Sequence, residues 1–478
     1  MLTPQELYQK MTGISKTYFL IDLRRDRESF YTLTDEELLM GSPKLLLSGT
    51  VLNLIMDGEL EKAWEVMDLL PAETDIRAKI MKLALAVVHP EVTLKQFIEN
   101  LDAFKKMGEP INSVMLTADR PCLLNGFNDF SRIGVLLPNH RDTFIGYLKW
   151  IYPEPLCPYI YNLCLAEYYY QQNRLIDAQM LASTTLKNFD IESERRILFS
   201  AMYLRSKILL ATGNTVSAES FITDIRNLVK KDGHAEFSYN IDAAAVLFAL
   251  YEGKMDVVND WLSTDAPDEY ADFNMLDLYR YTVKMRCYIA TKNYASVIAL
   301  AEKLRPLVER GKRCMDLCEL DILLAMSLYL SENKPLAFQA LRRALKSVRL
   351  HKYYRLIADE GSVMLRLLID YIKENGETDF LMNLAEMTRT SAIRHPLYLE
   401  PPMVGDMNFS QTQLDILRLL AQGKTKEEIA EMFFISVNTV KFHLHKIYAK
   451  LGVSKPHQAV WQARVRGLLP PPPIKLVF

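Results

Sequence analysis

Apolar residues recur every three or four positions along most of the chain, from about Ser42 to Thr390. This spacing places them on one face of a helix, because an α-helix turns once in about 3.6 residues. Runs in which β-branched residues alternate with polar ones are few, and the short interruptions contain Gly or Asn, which are common turn residues. The pattern therefore predicts an all-α fold.

Five of the predicted turns repeat at a nearly constant interval. Each joins two helices, and a small or aliphatic residue follows four or five positions into the second helix. These residues are Ala178, Ala218, Val257, Val297 and Ala337, at intervals of 40, 39, 40 and 40 positions. Such spacing, with a small residue where two helices approach closely, predicts a tetratricopeptide-like solenoid. A similar turn near Ala63 indicates that repeats begin close to Ser42; a non-repetitive helical bundle is the alternative.

Three prolines and a glycine between His395 and Asn408 interrupt the helical periodicity, which predicts an interdomain linker. The chain then divides into an N-terminal segment (1–41), a helical region where the first repeats are expected (42–149) and a solenoid that receives a signal or partner (150–394). The linker (395–408), a C-terminal helical domain (409–469) and a Pro-rich tail (470–478) complete the chain.

Four short helices are predicted in the C-terminal domain from their capping residues. The boundary residues are Ser410, Gly423, Thr425 with Glu428 as a capping box, Ser436, Gly452 and Pro456. The expected buried positions are Leu414, Leu417, Leu420 and Ala421 in the first helix, Ile429 and Met432 or Phe433 in the second, and Val437, Val440, Leu444, Ile447 and Leu451 in the third. A short helix, a tight turn and a second helix make a helix-turn-helix, whose second helix can enter a DNA major groove.

Polar and basic side chains lie opposite the apolar stripe of the third helix when residues are placed at about 100° intervals. The outward face carries the expected base-reading residues, which are Asn438, Lys441, Phe442 and His445. The expected phosphate contacts are Thr439, His443, Lys446 and Lys450 on its flank, with Thr425 at the preceding helix. A four-helix module with ordinary surface lysines is the alternative.

The charge distribution points to the same end of the chain. Residues 405–478 contain 10 Lys and Arg against 5 Asp and Glu, so they carry +5, and residues 1–404 carry 47 against 54, or −7. A basic segment of this kind is the electrostatic footprint of a polyanion site, although short basic segments are commonly just solvated.

The C-terminal segment from Phe409 to about Leu468 resembles the LuxR-type DNA-binding domain, through LLAQGKTKEEIAEMFFIS followed by NTVKFHLHKIYAKLGV. The resemblance also implies groove-reading residues at Lys441, Phe442 and His445. The solenoid resembles the sensor arm of MalT-like regulators, with SPKLLLSGTVLNLIMDGELEKAWEVMDLL and LAFQALRRALKSVRLHKYYRLIADEG as the matching segments.

This sequence departs from the two families in two ways. Family members place Arg-Glu where this chain has Thr412-Gln413, so a buried ion pair is not expected here. MalT-like regulators also carry an ATPase module ahead of the solenoid; the chain shows none, so we expect no ATP hydrolysis.

The remaining sequence offers no enzyme signature. The GKT at Gly423 lacks the glycine that a phosphate-binding loop requires, no GxGxxG or HExxH is present, and Cys314 and Cys318 fit core packing better than a metal site. We therefore expect no enzymatic activity, no cofactor and no metal. Neither a leader nor an apolar membrane span is visible, and the six cysteines form no disulfide framework, so we expect a cytoplasmic protein.

The expected function is a bacterial transcription regulator that binds double-stranded DNA as a homodimer, with RNA polymerase as a further candidate partner. A small-molecule or protein effector is expected at the solenoid. The candidate effector residues are Tyr168, Tyr169, Tyr170, Arg342, Arg343, Arg349 and Arg355. The alternative is a helical-repeat interaction scaffold whose tail recruits another protein.

Overall fold

The computed structural model describes residues 1–13, 26–40, 45–69, 156–188, 195–231, 235–399, 409–451, 453, 455–465 and 468–469. They form two compact units: the first comprises Met1–Leu247, Trp261–Tyr288 and Asn293–Leu356, and the second comprises Phe248–Asp260, Ile289–Lys292 and Ile357–Phe478. Most of the predicted helical region 42–149, the linker from 400 onward, Gly452 and the tail 470–478 lie outside the described residues.

Five helices form the N-terminal part of the first unit. They are α1 (Pro4–Gly13), α2 (Arg27–Phe30), α3 (Asp35–Leu38), α4 (Leu45–Met56) and α5 (Leu60–Asp68). The sequence of α4, LLLSGTVLNLIM, is almost wholly apolar, and the helix is buried at the centre of this group. Leu276, more than 200 positions away in the sequence, belongs to the same core. The N-terminal helices are thus packed against the repeat region of their unit.

A polar contact fixes the same junction. The Asp57 carboxylate accepts hydrogen bonds from Arg27 at 3.2 Å and from the Asn274 amide at 3.0 Å. Arg27 also binds Asp272 at 3.0 Å. Its guanidinium therefore joins two carboxylates, one on each side of the junction.

Paired helices make up the rest of the array. They are α6 (Leu156–Gln171), α7 (Leu175–Asn188), α8 (Arg195–Ala211), α9 (Thr215–Lys231), α10 (Ala235–Tyr251), α11 (Met255–Thr264), α12 (Leu278–Ala290), α13 (Tyr294–Arg310), α14 (Cys314–Leu330), α15 (Lys334–His351), α16 (Tyr354–Ala358), α17 (Gly361–Asn375) and α18 (Asp379–Arg394). Within pairs, α6 packs on α7, α8 on α9, α14 on α15, and α17 on α18. The all-α prediction is confirmed, because no strand occurs among the residues described.

The turn inside each of five successive pairs contains one residue with a positive φ. These residues are Asn173, Gly213, Gly253, Lys292 and Glu332, at intervals of 40, 40, 39 and 40 positions. The next residue donates its backbone N–H to the carbonyl five positions earlier, as Asn214 does to Leu209 at 2.8 Å. This Schellman arrangement ends the first helix and sets the direction of the second.

A fully buried residue follows each of these turns at a fixed distance of five positions. The residues are Ala178, Ala218, Val258, Val297 and Ala337. The predicted repeat is confirmed, and the alternative of a non-repetitive helical bundle is not. The prediction of Val257 as the repeat residue is wrong, since 41% of its surface is exposed and Val258 is the buried residue. Both valines fit an apolar pattern, and only the turn at Gly253 selects the second one. Gly58 and the buried Ala63 of the α4–α5 pair follow the same rule.

The second unit contains the last helices of the array, followed by residues 395–399, which we call the strap. The sequence predicts that these residues belong to the linker, yet Tyr398 is fully buried and its ring stacks on that of Tyr251. The C-terminal domain then contributes α19 (Gln411–Ala421), α20 (Lys426–Phe433), α21 (Val437–Leu451) and α22 (Pro456–Val465). These four helices share one apolar core.

Candidate nucleic-acid interface

The helix-turn-helix comprises α20, a three-residue turn and α21. Thr425 and Glu428 form the predicted capping box at the start of α20, with the Thr425 N–H donating to Glu428 at 2.7 Å. Phe434 ends α20 in the left-handed conformation, with φ of 56°. Ser436 then caps α21 by accepting the Thr439 N–H at 3.1 Å. These local bonds set the angle at which α21 leaves the turn.

The apolar stripe of α21 lies in the domain core. Val440, Leu444, Ile447 and Leu451 are buried, as expected, and Val437 packs partly against them. The stripe of α19 was predicted less well. Ile416 and Leu417 are fully buried, whereas Leu414, Leu420 and Ala421 are only partly buried. In α20, Ile429 is buried and Phe433 packs against the core, but Met432 is exposed.

The face of α21 opposite this core contains the four residues expected to read bases. Asn438, Lys441, Phe442 and His445 are all exposed. Phe442 is 57% exposed, which is unusual for so large an apolar residue and leaves it available to a ligand. The helix therefore presents an amide, an ammonium, an aromatic ring and an imidazole on one surface.

The flank residues expected to bind phosphate have more varied surroundings. The Thr439 hydroxyl lies 2.8 Å from that of Ser436, so it belongs to the cap of α21. The Lys446 ammonium is exposed and lies 4.3 Å from the centre of the Phe442 ring. His443 is half-buried, and its Nδ1 finds no hydrogen-bond partner among the described residues. Thr425 is exposed at the first turn of α20.

Lys450 is tied to the domain itself. Its ammonium donates to Oε1 of Gln413 at 2.9 Å and lies 5.0 Å from the centre of the Phe409 ring. Gln413 is buried, and the same oxygen accepts the Ser410 N–H at 3.2 Å to close the capping box of α19. The neutral Gln413 amide thus makes the contact at the position where the LuxR-type pattern expects an ion pair. The sequence shows that this position departs from the family pattern, but it does not show the contact with Lys450.

Two pKa shifts accompany this arrangement. The pKa of Glu428 lies below its usual range, because the carboxylate accepts the Thr425 N–H and the Lys424 ammonium. Burial raises the pKa of Tyr448, whose hydroxyl has no hydrogen-bond partner in the part of the chain that the structure describes. Phe434 was not recognised from the sequence, although it is 96% exposed in the turn. The sequence signal that could have identified Phe434 is its position, because it is an aromatic residue directly after the last apolar position of α20.

The candidate effector residues fall into two groups. Tyr168, Tyr170 and Arg355 are buried, and burial raises the pKa of Tyr168. The Arg355 guanidinium lies 5.4 Å from the centre of the Tyr170 ring and donates to Asn173 at 3.1 Å. Arg355, one of the candidate effector residues, is thus buried inside the first unit.

The second group lies on helix surfaces. Arg342, Arg343 and Arg349 are exposed on α15, and Arg343 pairs with Asp321 at 2.7 Å. Tyr169 is half-buried. The structure therefore brings Arg355 to the tyrosine run, while Arg343 is held by a carboxylate of its own repeat.

In the described parts of the chain, no cluster of three or more His, Cys, Asp or Glu side chains is arranged to hold a metal ion. Cys318 is buried as predicted, whereas Cys314 is exposed. None of the helices described has the length and apolar character needed to cross a membrane.

Two family models match the chain. Residues 155–374 match the MalT-like TPR region, and residues 407–463 match the bacterial regulatory proteins of the luxR family. The first match covers the array from α6 to most of α17, and the second covers the helix-turn-helix with the helices on either side of it.

Similar curated proteins carry matching names. The chain is 21% identical over 308 residues to the HTH-type transcriptional regulator MalT of Vibrio parahaemolyticus, which covers 60% of this chain and 34% of that protein. It is 34% identical over 108 residues to the HTH-type transcriptional regulator AlkS of Alcanivorax borkumensis, covering 23% and 12%. It is 40% identical over 67 residues to the regulatory protein SdiA of Escherichia coli, covering 14% and 28%. The matches thus span about a third or less of each relative.

Proposed function

We propose that this chain, which combines a MalT-like TPR region with a helix-turn-helix of the luxR family, is a transcription regulator that binds duplex DNA through α20 and α21. The observation that carries the proposal is the two-sided character of α21. One side is buried in the domain core, and the other exposes Asn438, Lys441, Phe442 and His445. An α-helix with such a face fits a major groove, where each base pair presents its own pattern of donors, acceptors and methyl groups.

The roles of these residues follow from their chemistry. Lys441 donates to guanine, His445 donates to a purine acceptor, Phe442 contacts a thymine methyl, and Asn438 bonds to a base edge. The basic flank, which includes the exposed Lys446, neutralises phosphates and sets the register. The local charge of +5 on residues 405–478 supports both roles.

The repeat array supplies the input. Stacked helical pairs create an extended surface that suits a small molecule or a protein segment, and the rest of the described chain offers no comparable surface. The protein acts in the cytoplasm, binds its site as a homodimer and has RNA polymerase as a further partner. It has no enzymatic role.

The experiment is a selection of random duplexes on the full-length chain, followed by titration of the selected duplex and a scrambled one at several salt concentrations. We expect a defined half-site, tighter binding of the selected duplex and a steep loss of affinity with salt, because bound phosphates release counterions. A chain that retains no duplex at low salt is instead the interaction scaffold.

A further inference from the structure

The strap is held in a closely fitted slot within the second unit. The rings of Tyr398 and Tyr251 are stacked, with centroids 3.9 Å apart and planes 8° apart. The Tyr398 hydroxyl donates to the buried Glu360 carboxylate at 3.0 Å. The Tyr251 hydroxyl likewise donates a hydrogen bond, to the Asp359 carbonyl at 3.1 Å. Two tyrosines thus tie the strap to the start of α17.

The other strap residues fill the remaining sides of the slot. His395 is buried and contacts the Tyr251 ring with its edge, at 5.0 Å between centroids. Leu397 packs on Gly253, where a Cβ atom would lie 3.0 Å from the leucine Cβ. Gly253 is the positive-φ turn residue of its repeat. The slot is therefore built from a repeat turn and the α16–α17 junction, which are more than 100 positions apart.

The strap lies in the chain between the array and the C-terminal domain, so its docking sets the length of the connection between them. The strap directly follows α18, and residues 400–408 separate it from the domain that contains α19 to α22. In the same unit, α22 contacts α18. A docked strap leaves nine residues as the tether, with a reach of at most about 30 Å, whereas a released strap gives fourteen residues and about 50 Å.

We propose that the strap is a releasable restraint, which keeps the basic C-terminal domain beside the acidic array helices of the second unit and so weakens DNA binding. This inference rests on the proposed function. The array residues of the second unit (248–260, 289–292 and 357–399) contain 6 Lys and Arg against 10 Asp and Glu, so they carry −4. Because a DNA duplex is a polyanion, these residues repel DNA when the domain is held within a few Debye lengths of them. Opening the slot lets the domain bind farther from that charge.

The slot has the properties that a switch requires. It is a closed arrangement of two aromatic rings and a buried carboxylate, and its two walls come from separate parts of the array. A ligand or partner that binds better when the Gly253 turn is displaced relative to α17 stabilises the open state. Its binding therefore favours release of the strap. By linkage, DNA that prefers the open state must itself favour release of the strap.

The test uses the full-length chain and two strap variants. Tyr398→Phe removes the hydroxyl that donates to Glu360 and keeps the ring, and Gly253→Asn places a side chain against Leu397. Asparagine is the native residue at the equivalent turn position 173, with φ of 62°. Gly213→Asn, at the equivalent turn of the preceding repeat, is therefore the matched control for the backbone change.

Hydrogen exchange of the amides of His395, Leu397, Tyr398 and Leu399 reports the strap, and titration of the selected duplex reports DNA binding. We expect both strap variants to exchange at least tenfold faster in the strap and to bind DNA at least threefold more tightly, while Gly213→Asn matches the wild type. The affinity gain should shrink as salt is raised, since its origin is electrostatic. In the wild type, bound duplex should speed exchange in the strap.

The two proposals fail differently. A wild-type chain that selects no duplex overturns the proposed function. A chain that binds DNA overturns the strap proposal if faster strap exchange leaves the Kd within twofold or weakens binding. Unchanged exchange in both variants overturns it as well, because the slot contacts would then not be what holds the strap.

Discussion

The ammonium of Lys450, near the end of α21, donates to the buried side-chain oxygen of Gln413 in the first turn of α19 at 2.9 Å. The contact joins the predicted recognition helix to the helix that precedes the helix-turn-helix. Because the acceptor is an uncharged amide, the link does not depend on ionisation of a carboxyl group. It also engages a residue that was expected to bind phosphate, a role that stays a prediction.

Replacing Gln413 should therefore loosen α21. Gln413→Leu removes the acceptor for both Lys450 and the Ser410 N–H and should cost about 1–2 kcal/mol. Gln413→Glu keeps both bonds and adds a charge, but Lys450 is exposed enough that the gain should stay below about 1 kcal/mol. Hydrogen exchange of the α21 amides in the full chain measures both changes. Equal protection in the wild type and Gln413→Leu would contradict this role.

Replacing Lys441 and replacing Lys446 should impair DNA binding in different ways. Lys441→Ala should cost about 1–3 kcal/mol on the selected duplex and relax sequence preference, because a base contact is lost. Lys446→Ala should weaken all duplexes alike and lower the salt slope by about one, because a phosphate contact is lost. Each variant is titrated against selected and scrambled duplexes at several salt concentrations. If Lys441→Ala weakens both duplexes equally, Lys441 contacts phosphate instead.

The start of α20 should lose protection in acid. The folded-state pKa of Glu428 is lowered, so its contribution is present at neutral pH and is lost as the pH falls below the ordinary glutamate range. Glu428→Gln should therefore exchange faster than the wild type in α20 at neutral pH and match it in acid. Comparison of the two proteins at each pH cancels the intrinsic exchange rate. A constant difference across the range would show that the carboxylate charge does not matter.

The two neighbouring valines of α11 provide a matched test of the repeat register. Val258→Ala leaves a cavity at a fully buried position and should cost about 1–3 kcal/mol. Val257→Ala, at an exposed position, should stay within about 0.5 kcal/mol. Urea unfolding followed by circular dichroism compares them. Similar midpoints for both variants would place the helix in a different register.

The helix pairs and the caps could be predicted because their signals are local. Ser410, Thr425 and Ser436 each act within three residues of their position, and so the sequence alone located them. Val257 was chosen over Val258 because the positive φ at Gly253, which sets the register, is invisible in an apolar pattern. The burial of Arg355 and Tyr398 could not be predicted for another reason. Their burial depends on Asn173 and Tyr251, partners more than 140 positions away.

The N-terminal helices alter how this array should fold. Repeat arrays ordinarily contain only contacts between neighbours, which keeps contact order low and lets folding spread from any repeat. Here Arg27 binds Asp272 across 245 positions, and Leu276 completes the core around α4. Closing so long a loop costs chain entropy before the contact forms. The junction should accordingly form late, and the repeats near residue 276 should gain their final protection against unfolding only when the N-terminal helices arrive.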